Sequence, residues 1–157
     1  MRPLLLGIDP GQSGGIAELW PDGKIDAFPM FADDALRDYF QCIAENKDVV
    51  PVCYMELVQG FIGKAQPGSS MFKFGNGYGF LRGLLSANRI RTVLVRPQEW
   101  QKGIPGAQGL KGPERKRALR DQAARLFPNS RVTLATADAL LIANFGQNQS
   151  AISSHNN

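Results

Sequence analysis

Histidine is almost missing from this chain. Of 157 residues only His155 is one, and it lies in the polar stretch GQNQSAISSHNN at the C-terminal end. A zinc site built on imidazole and a Ser-His-Asp triad both need histidine beside the chemistry, so neither is a tenable reading. Cysteine is scarce too. Cys42 falls on an expected helix face and Cys53 inside an expected strand, so both are expected to be buried thiols rather than a disulfide or metal site. Long apolar runs are lacking, and none approaches the roughly 20 residues that cross a bilayer. The opening MRPLLLGIDPG has too short an apolar region for a signal peptide. An intracellular protein with no membrane partner is expected.

What is present suits one folded domain. A hydrophobic share of 43% and 157 residues suffice for a single core and are too few for two comfortable ones. Charge is unevenly spread: residues 1–55 carry 4 basic and 9 acidic side chains, residues 56–131 carry 14 basic and 4 acidic. A basic excess of 10 confined to one stretch suits either a polyanion partner or a solvated surface.

The pattern predicts strands at 3–9, 15–20 and 24–28, the last two joined by the turn PDG. A helix follows over 32–46, with Leu36, Tyr39, Phe40 and Ile43 on one face and Cys42 beside them. Strand 49–56, a Gly/Ser-rich loop, a helix over 71–87 and a strand over 91–96 come next. RPQEWQKGIPGAQGLKGP is expected to be a long loop opening a helix over 113–127, with a last helix at 137–145. The expected fold class is α/β, one five-stranded mixed sheet flanked by helices. Its domain spans 1–147, and 148–157 is expected to be a disordered tail.

Two apolar runs end on carboxylates: LLLGID on Asp9 and VVPVCYME on Glu56. Burying an unpaired carboxylate costs several kcal/mol, so one such strand end suggests a purpose and two suggest a site. Asp138 in TADALLIANF shares a helical face with Leu141, Ile142 and Phe145, which also suits a first-turn acid on the helix dipole. If strand ends and helix start converge, the three acids repel one another unless a cation neutralises them. An all-oxygen set favours Mg²⁺ or Mn²⁺, and a pair of ions suits phosphodiester hydrolysis. A metal-dependent nuclease is the economical reading. A sugar-kinase-like phosphotransferase also opens with Asp-x-Gly after a strand, but a second phosphate loop is lacking.

GIDPGQSGGIA, YMELV, KFGNGYGFLRGLL, RPQEWQK, KRALRDQAARLFP and ADALLIANFG together resemble the RuvC-type Holliday junction resolvases, from about residue 3 to 146. The Gly-Tyr-Gly stretch and ADALLIA are most similar to the chloroplast and phage-like branch. The resemblance implies a ribonuclease H-like fold, cytoplasmic location (the host's, if phage-encoded), a homodimer, and Mg²⁺-dependent cleavage of four-way DNA junctions. It further implies two ions, replaceable by Mn²⁺, on Asp9, Glu56 and Asp138, with Lys116 at the scissile phosphate. A fourth ligand, Asp or His, is usual shortly before the last Asp; here Thr133, Leu134, Ala135, Thr136 and Ala137 stand there instead. That departure keeps a non-catalytic junction-binding protein open as the alternative.

DNA contacts are expected around this site. Gly11, Gly14 and Gly15 let backbone approach a phosphate, or simply make a tight turn, and Ser13 is placed to hydrogen-bond that phosphate. Phe61, Phe72, Phe74 and Tyr78, interleaved with Lys64 and Lys73, suit either base stacking or core packing. Asn76 lies among glycines that allow close approach to a base. Lys111, Arg115, Arg117 and Arg120 would hold phosphates, with one charge spent on an Arg117–Asp121 pair.

Overall fold

The computed structural model describes residues 3–58 and 68–155. The strands are β1 (Leu4–Asp9), β2 (Gly15–Leu19), β3 (Ile25–Pro29), β4 (Pro51–Glu56) and β5 (Arg91–Val95). The helices are α1 (Asp33–Glu45), α2 (Gly68–Ala87), α3 (Pro97–Trp100), α4 (Gly112–Leu126) and α5 (Ala137–His155). All five strands join one sheet in the order β3-β2-β1-β4-β5. The β1–β2 and β2–β3 pairs are antiparallel, and β1–β4 and β4–β5 are parallel. The expected five-stranded mixed sheet is therefore observed.

Alternation along the strands sorts the core into two layers. Leu4, Leu6 and Ile8 of β1 and Cys53 and Met55 of β4 pack with Leu36, Phe40 and Ile43 of α1 and Leu81 and Leu85 of α2. Leu5 of β1, Tyr54 of β4 and Val95 of β5 face the opposite layer, where α3, α4 and α5 supply Trp100, Leu119, Ala123 and Leu140. Residues 5, 7 and 9 of β1 share that second face, as do 52, 54 and 56 of β4. Parity alone thus aims both strand-terminal carboxylates at α4 and α5.

Helix α5 lies directly on β1, and glycine permits it. A Cβ at Gly7 would overlap the carbonyl oxygen of Ala139 and lie 2.6 Å from the amide nitrogen of Ala143. Gly146 plays the same part against the ring of Tyr54. The structure corrects two expectations here. The last helix, expected over 137–145, extends from Ala137 to His155, with Gly146 inside it against the Tyr54 ring. The expected loop after β5 also contains α3, which opens on Pro97 where proline is suited to a first turn.

Cys53 is buried, as expected, and burial pushes its thiol well above the ordinary range. Cys42 is exposed, contrary to expectation. It lies off the Leu36–Phe40–Ile43 stripe, on the turn that also exposes Gln41.

Gly7→Ala should destabilise the protein by about 1–3 kcal/mol or more, since backbone stands where the methyl must go. Gly75→Ala, in α2 with nothing within 4 Å of the new methyl, should stabilise it by about 0.5–1 kcal/mol. Urea denaturation of the two variants checks the contrast.

Candidate active site

Pairing register brings the first two acids together. Ile8 sits beside Met55 in the parallel β1–β4 pair, so Asp9 and Glu56 follow side by side at the carboxyl edge of the sheet. Open α/β sheets bind ligands at this edge. Asp9 begins the turn to β2, and Gly14, which donates to the carbonyl of Gly11 at 3.1 Å, folds back onto it. A Cβ at Gly14 would overlap the backbone carbonyl oxygen of Asp9 and lie 3.1 Å from its carboxyl carbon, so only glycine lets the turn fold this closely onto Asp9. Gly11 takes φ +110°, open to glycine and strained for other residues.

Asp138 arrives in the first turn of α5. Ahead of it, the Thr133 amide donates to Oγ1 of Thr136 at 3.0 Å and the Thr136 amide to Oγ1 of Thr133 at 3.3 Å. Thr136 is buried and its carbonyl accepts from the Leu140 amide, while the Ala137 amide donates to the Thr133 carbonyl at 3.0 Å, so the two threonines brace the turn that leads into the helix presenting Asp138. They occupy the stretch just before Asp138 that holds no acid or histidine, and their hydroxyls are turned to each other at 3.2 Å.

All three carboxyls are half-buried and shifted upward. Desolvation is the chief cause for Asp9, which the charges of Asp138 and Glu56 push further, to about 7, against a smaller opposing pull from Lys116. Burial also raises Glu56, opposed first by a hydrogen bond from Trp100 and then by Arg115 and Lys116; Asp138 adds to the rise. Asp138 is raised by burial and held back by Lys116 and Arg115. The acids are thus near enough to feel one another's charge. As they stand, no three Asp, Glu, His or Cys side chains among the described residues are gathered closely enough to hold one ion. The donor chemistry itself, three carboxylates with no imidazole or thiolate among them, fits a hard divalent cation.

The basic side of the site comes from α4. Lys111, Arg115, Lys116 and Arg117 are exposed, and Lys116 and Arg115 both act on the acids. The pairing expected for Arg117 falls instead to Arg120, whose Nη2 lies 3.0 Å from Asp121. Ser13 is exposed in the β1–β2 turn.

The α2 residues separate. Phe72 is 77% exposed, and Lys73 and Asn76 are exposed beside it. Phe74 is half-buried, and its ring comes within 3.0 Å of a Cβ placed at Gly11, so it packs on the turn that carries Asp9. Tyr78 packs against the core, with Arg82 over its ring at 6.0 Å. Phe61 and Lys64 lie outside the described residues.

Two participants escaped the sequence reading. Arg115 had been assigned to phosphates only, and Trp100 had no assignment; its indole Nε1–H donates to Oε2 of Glu56 at 2.9 Å. The signal for Trp100 was a lone tryptophan just past the strand neighbouring β4, but the bond spans 44 residues of sequence.

No protein-family model matches the chain, and no curated protein sequence does. Solved structures do match. The chain is similar to Thermus thermophilus RuvC at 13% identity and TM-score 0.62, with 96% of each chain covered. It is similar also to T. thermophilus RuvC in complex with a Holliday junction substrate, at 10% identity and TM-score 0.66, again over 96% of each. At such identities the likeness establishes architecture: the fold is the ribonuclease H-like α/β fold that RuvC has.

Asp9 generates a prediction about stability. Its carboxyl titrates near 3.8 when unfolded and near 7 when folded, so the folded state binds the extra proton between those values. Stability therefore falls as pH rises from about 4 to 7, and the penalty is complete above 7. Asp9→Asn should be more stable than the parent by about 1–3 kcal/mol at pH 8, without added divalent ions, and the difference should vanish near pH 4. Thermal denaturation at both pH values measures it.

Proposed function

We propose that this protein is a structure-selective endonuclease that resolves four-way DNA junctions by metal-dependent phosphodiester hydrolysis, within the chloroplast and phage-like branch of the RuvC-type resolvases. The observation that carries the reading is the register that ends β1 and β4 side by side on Asp9 and Glu56, with the charges of Asp138 and Lys116 both acting on Asp9. Crowded, desolvated carboxylates are unfavourable by themselves and become favourable around a cation.

Asp9, Glu56 and Asp138 would hold Mg²⁺ or Mn²⁺, two ions when fully loaded, which would activate water and steady the leaving oxygen. The chain's own groups do the rest. Lys116, whose charge already acts on all three acids, balances the negative charge that gathers on the attacked phosphate. Arg115 sits beside it, and Lys111 and Arg117 hold flanking phosphates. Ser13 offers a hydroxyl from the turn after Asp9. Phe72, Lys73 and Asn76 on α2 present a ring, a cation and an amide to unpaired bases. A four-way junction has two-fold symmetry, and a homodimer with C2 symmetry would set one site on each of two opposed strands.

A second reading is favoured by one observation. Thr133 and Thr136 stand before Asp138, bonded to each other, and bring no further anionic ligand. A non-catalytic junction-binding protein on the same scaffold would have that feature.

Incubation of a mobile four-way junction with the protein and Mg²⁺ or Mn²⁺, followed by strand mapping, separates the two. Paired nicks at symmetric positions are expected; tight binding without nicks in either metal supports the second reading. Asp9→Asn should bind the junction and lose cleavage by well over the roughly 10–100-fold typical of an outer-shell partner. Equal turnover by that variant rejects the site. Affinity should fall steeply with salt, and Arg117→Ala should reduce the slope of log affinity against log salt by roughly 1.

A further inference from the structure

The chain has two tryptophans, and both donate an indole N–H to a glutamate. The bonds are alike in length, 2.8 Å from Trp20 to Glu18 and 2.9 Å from Trp100 to Glu56. The glutamates differ. Glu18 is 4% exposed, and its second oxygen accepts from the Tyr39 hydroxyl at 2.7 Å. Both of its oxygens are thereby engaged, as buried carboxylates generally require. Glu56 has one oxygen fixed, and among the described residues its Oε1 receives no hydrogen bond. The first arrangement closes a carboxylate off; the second aims one and leaves it an open oxygen.

We propose that Trp100 is a positioning residue for Glu56, holding Oε2 through its indole N–H so that Oε1 remains available to a divalent cation. This inference rests on the active-site reading above and adds a residue to it.

The placement of Trp100 is rigid. Its side chain is 3% exposed and belongs to the same packed layer as Val95, Ile104 and Leu141. Glu56 pairs with Val95 across β4 and β5, and the Leu57 amide donates to the Val95 carbonyl at 2.7 Å. The chain then turns into α3, where the Arg96 amide donates to Oε2 of Glu99 at 2.7 Å and the Glu99 amide to the Arg96 carbonyl at 2.9 Å. Five residues past the end of β5, the indole therefore reaches Glu56 along a fixed path. The next residue, Gln101, accepts from Nη1 of Arg115 at 3.3 Å, so this short bracket touches an acid and a base of the site.

A neutral donor suits the task. An ammonium or guanidinium in direct contact with Glu56 would orient it as well, but its charge would oppose the arriving cation. An indole N–H orients the carboxylate and adds no net charge.

The test compares the parent with Trp100→Phe, Trp20→Phe and Glu56→Gln. Mn²⁺ affinity is measured by calorimetry without DNA, junction affinity without metal, and cleavage with Mn²⁺. Trp100→Phe should keep metal-free junction affinity and weaken Mn²⁺ binding by roughly 10–100-fold, with a parallel loss of cleavage. Trp20→Phe loses the same kind of bond elsewhere and should leave Mn²⁺ affinity unchanged. Parental Mn²⁺ affinity in Trp100→Phe overturns the inference, as does an equal loss in Trp20→Phe. If Trp100→Phe fails to fold, benzothienylalanine at position 100, which keeps the bicyclic shape and replaces the N–H by sulfur, makes the same comparison. Should Glu56→Gln bind Mn²⁺ and cleave like the parent, the active-site reading itself falls. If Glu56→Gln loses both and Trp100→Phe loses neither, only the role of Trp100 is refuted.

Discussion

The register of one parallel strand pair governs this molecule. With Ile8 beside Met55, Asp9 and Glu56 emerge together at the same edge and, by the two-residue period of a strand, on the same face. A slip of one residue would send one carboxylate to the α1–α2 side and dissolve the site. The slip is resisted by the alternation itself, because it would carry Leu4, Leu6 and Ile8 out of the layer they fill completely. Packing energy spread over the whole strand thus fixes the position of a charge at its end.

The opposite face completes the arrangement through a close helix–strand contact. Gly7 and Gly146 let α5 lie against β1 and β4, and that approach sets the first turn of the helix, with Asp138, over the strand ends. Burial is the first cause of the upward shift at all three acids; the charge of Asp138 adds to it at Asp9 and at Glu56, whereas Asp138 itself is held back by Lys116 and Arg115. The fold accepts a destabilised corner here and balances it with a well-filled core on both faces. Positive charge is supplied by α4, which stands at the rim on exposed side chains where it can meet a polyanion.

Much of this was legible beforehand, for identifiable reasons. An apolar run that stops on a carboxylate is a local signal, and it marked Asp9 and Glu56. The i+3, i+4 and i+7 spacing from Asp138 marked the third acid. Alternation and the PDG turn marked the five strands and a mixed sheet, while the order β3-β2-β1-β4-β5 comes from pairings between distant segments. What failed depended on contacts between distant segments. The last helix was expected to stop at 145, and the close contact of Gly146 with the Tyr54 ring, inside a helix that runs to His155, has no local signal. Cys42 resembled a core residue until the stripe beside it left it outside. Arg117 and Arg120 compete for Asp121 on one helix, and spacing alone chose the wrong one. Trp100 is the deepest omission, since nothing in RPQEW announces a partner 44 residues away.

The central claim is that three acids from separate segments form one cation-binding group. A crystal of the full chain soaked in Mn²⁺ tests it most directly, through anomalous difference density. The account predicts a peak with carboxylate oxygens of Asp9, Glu56 and Asp138 around it at ordinary oxygen–metal distances of roughly 2.0–2.3 Å. Manganese bound only elsewhere, with those three side chains turned from one another, would contradict it.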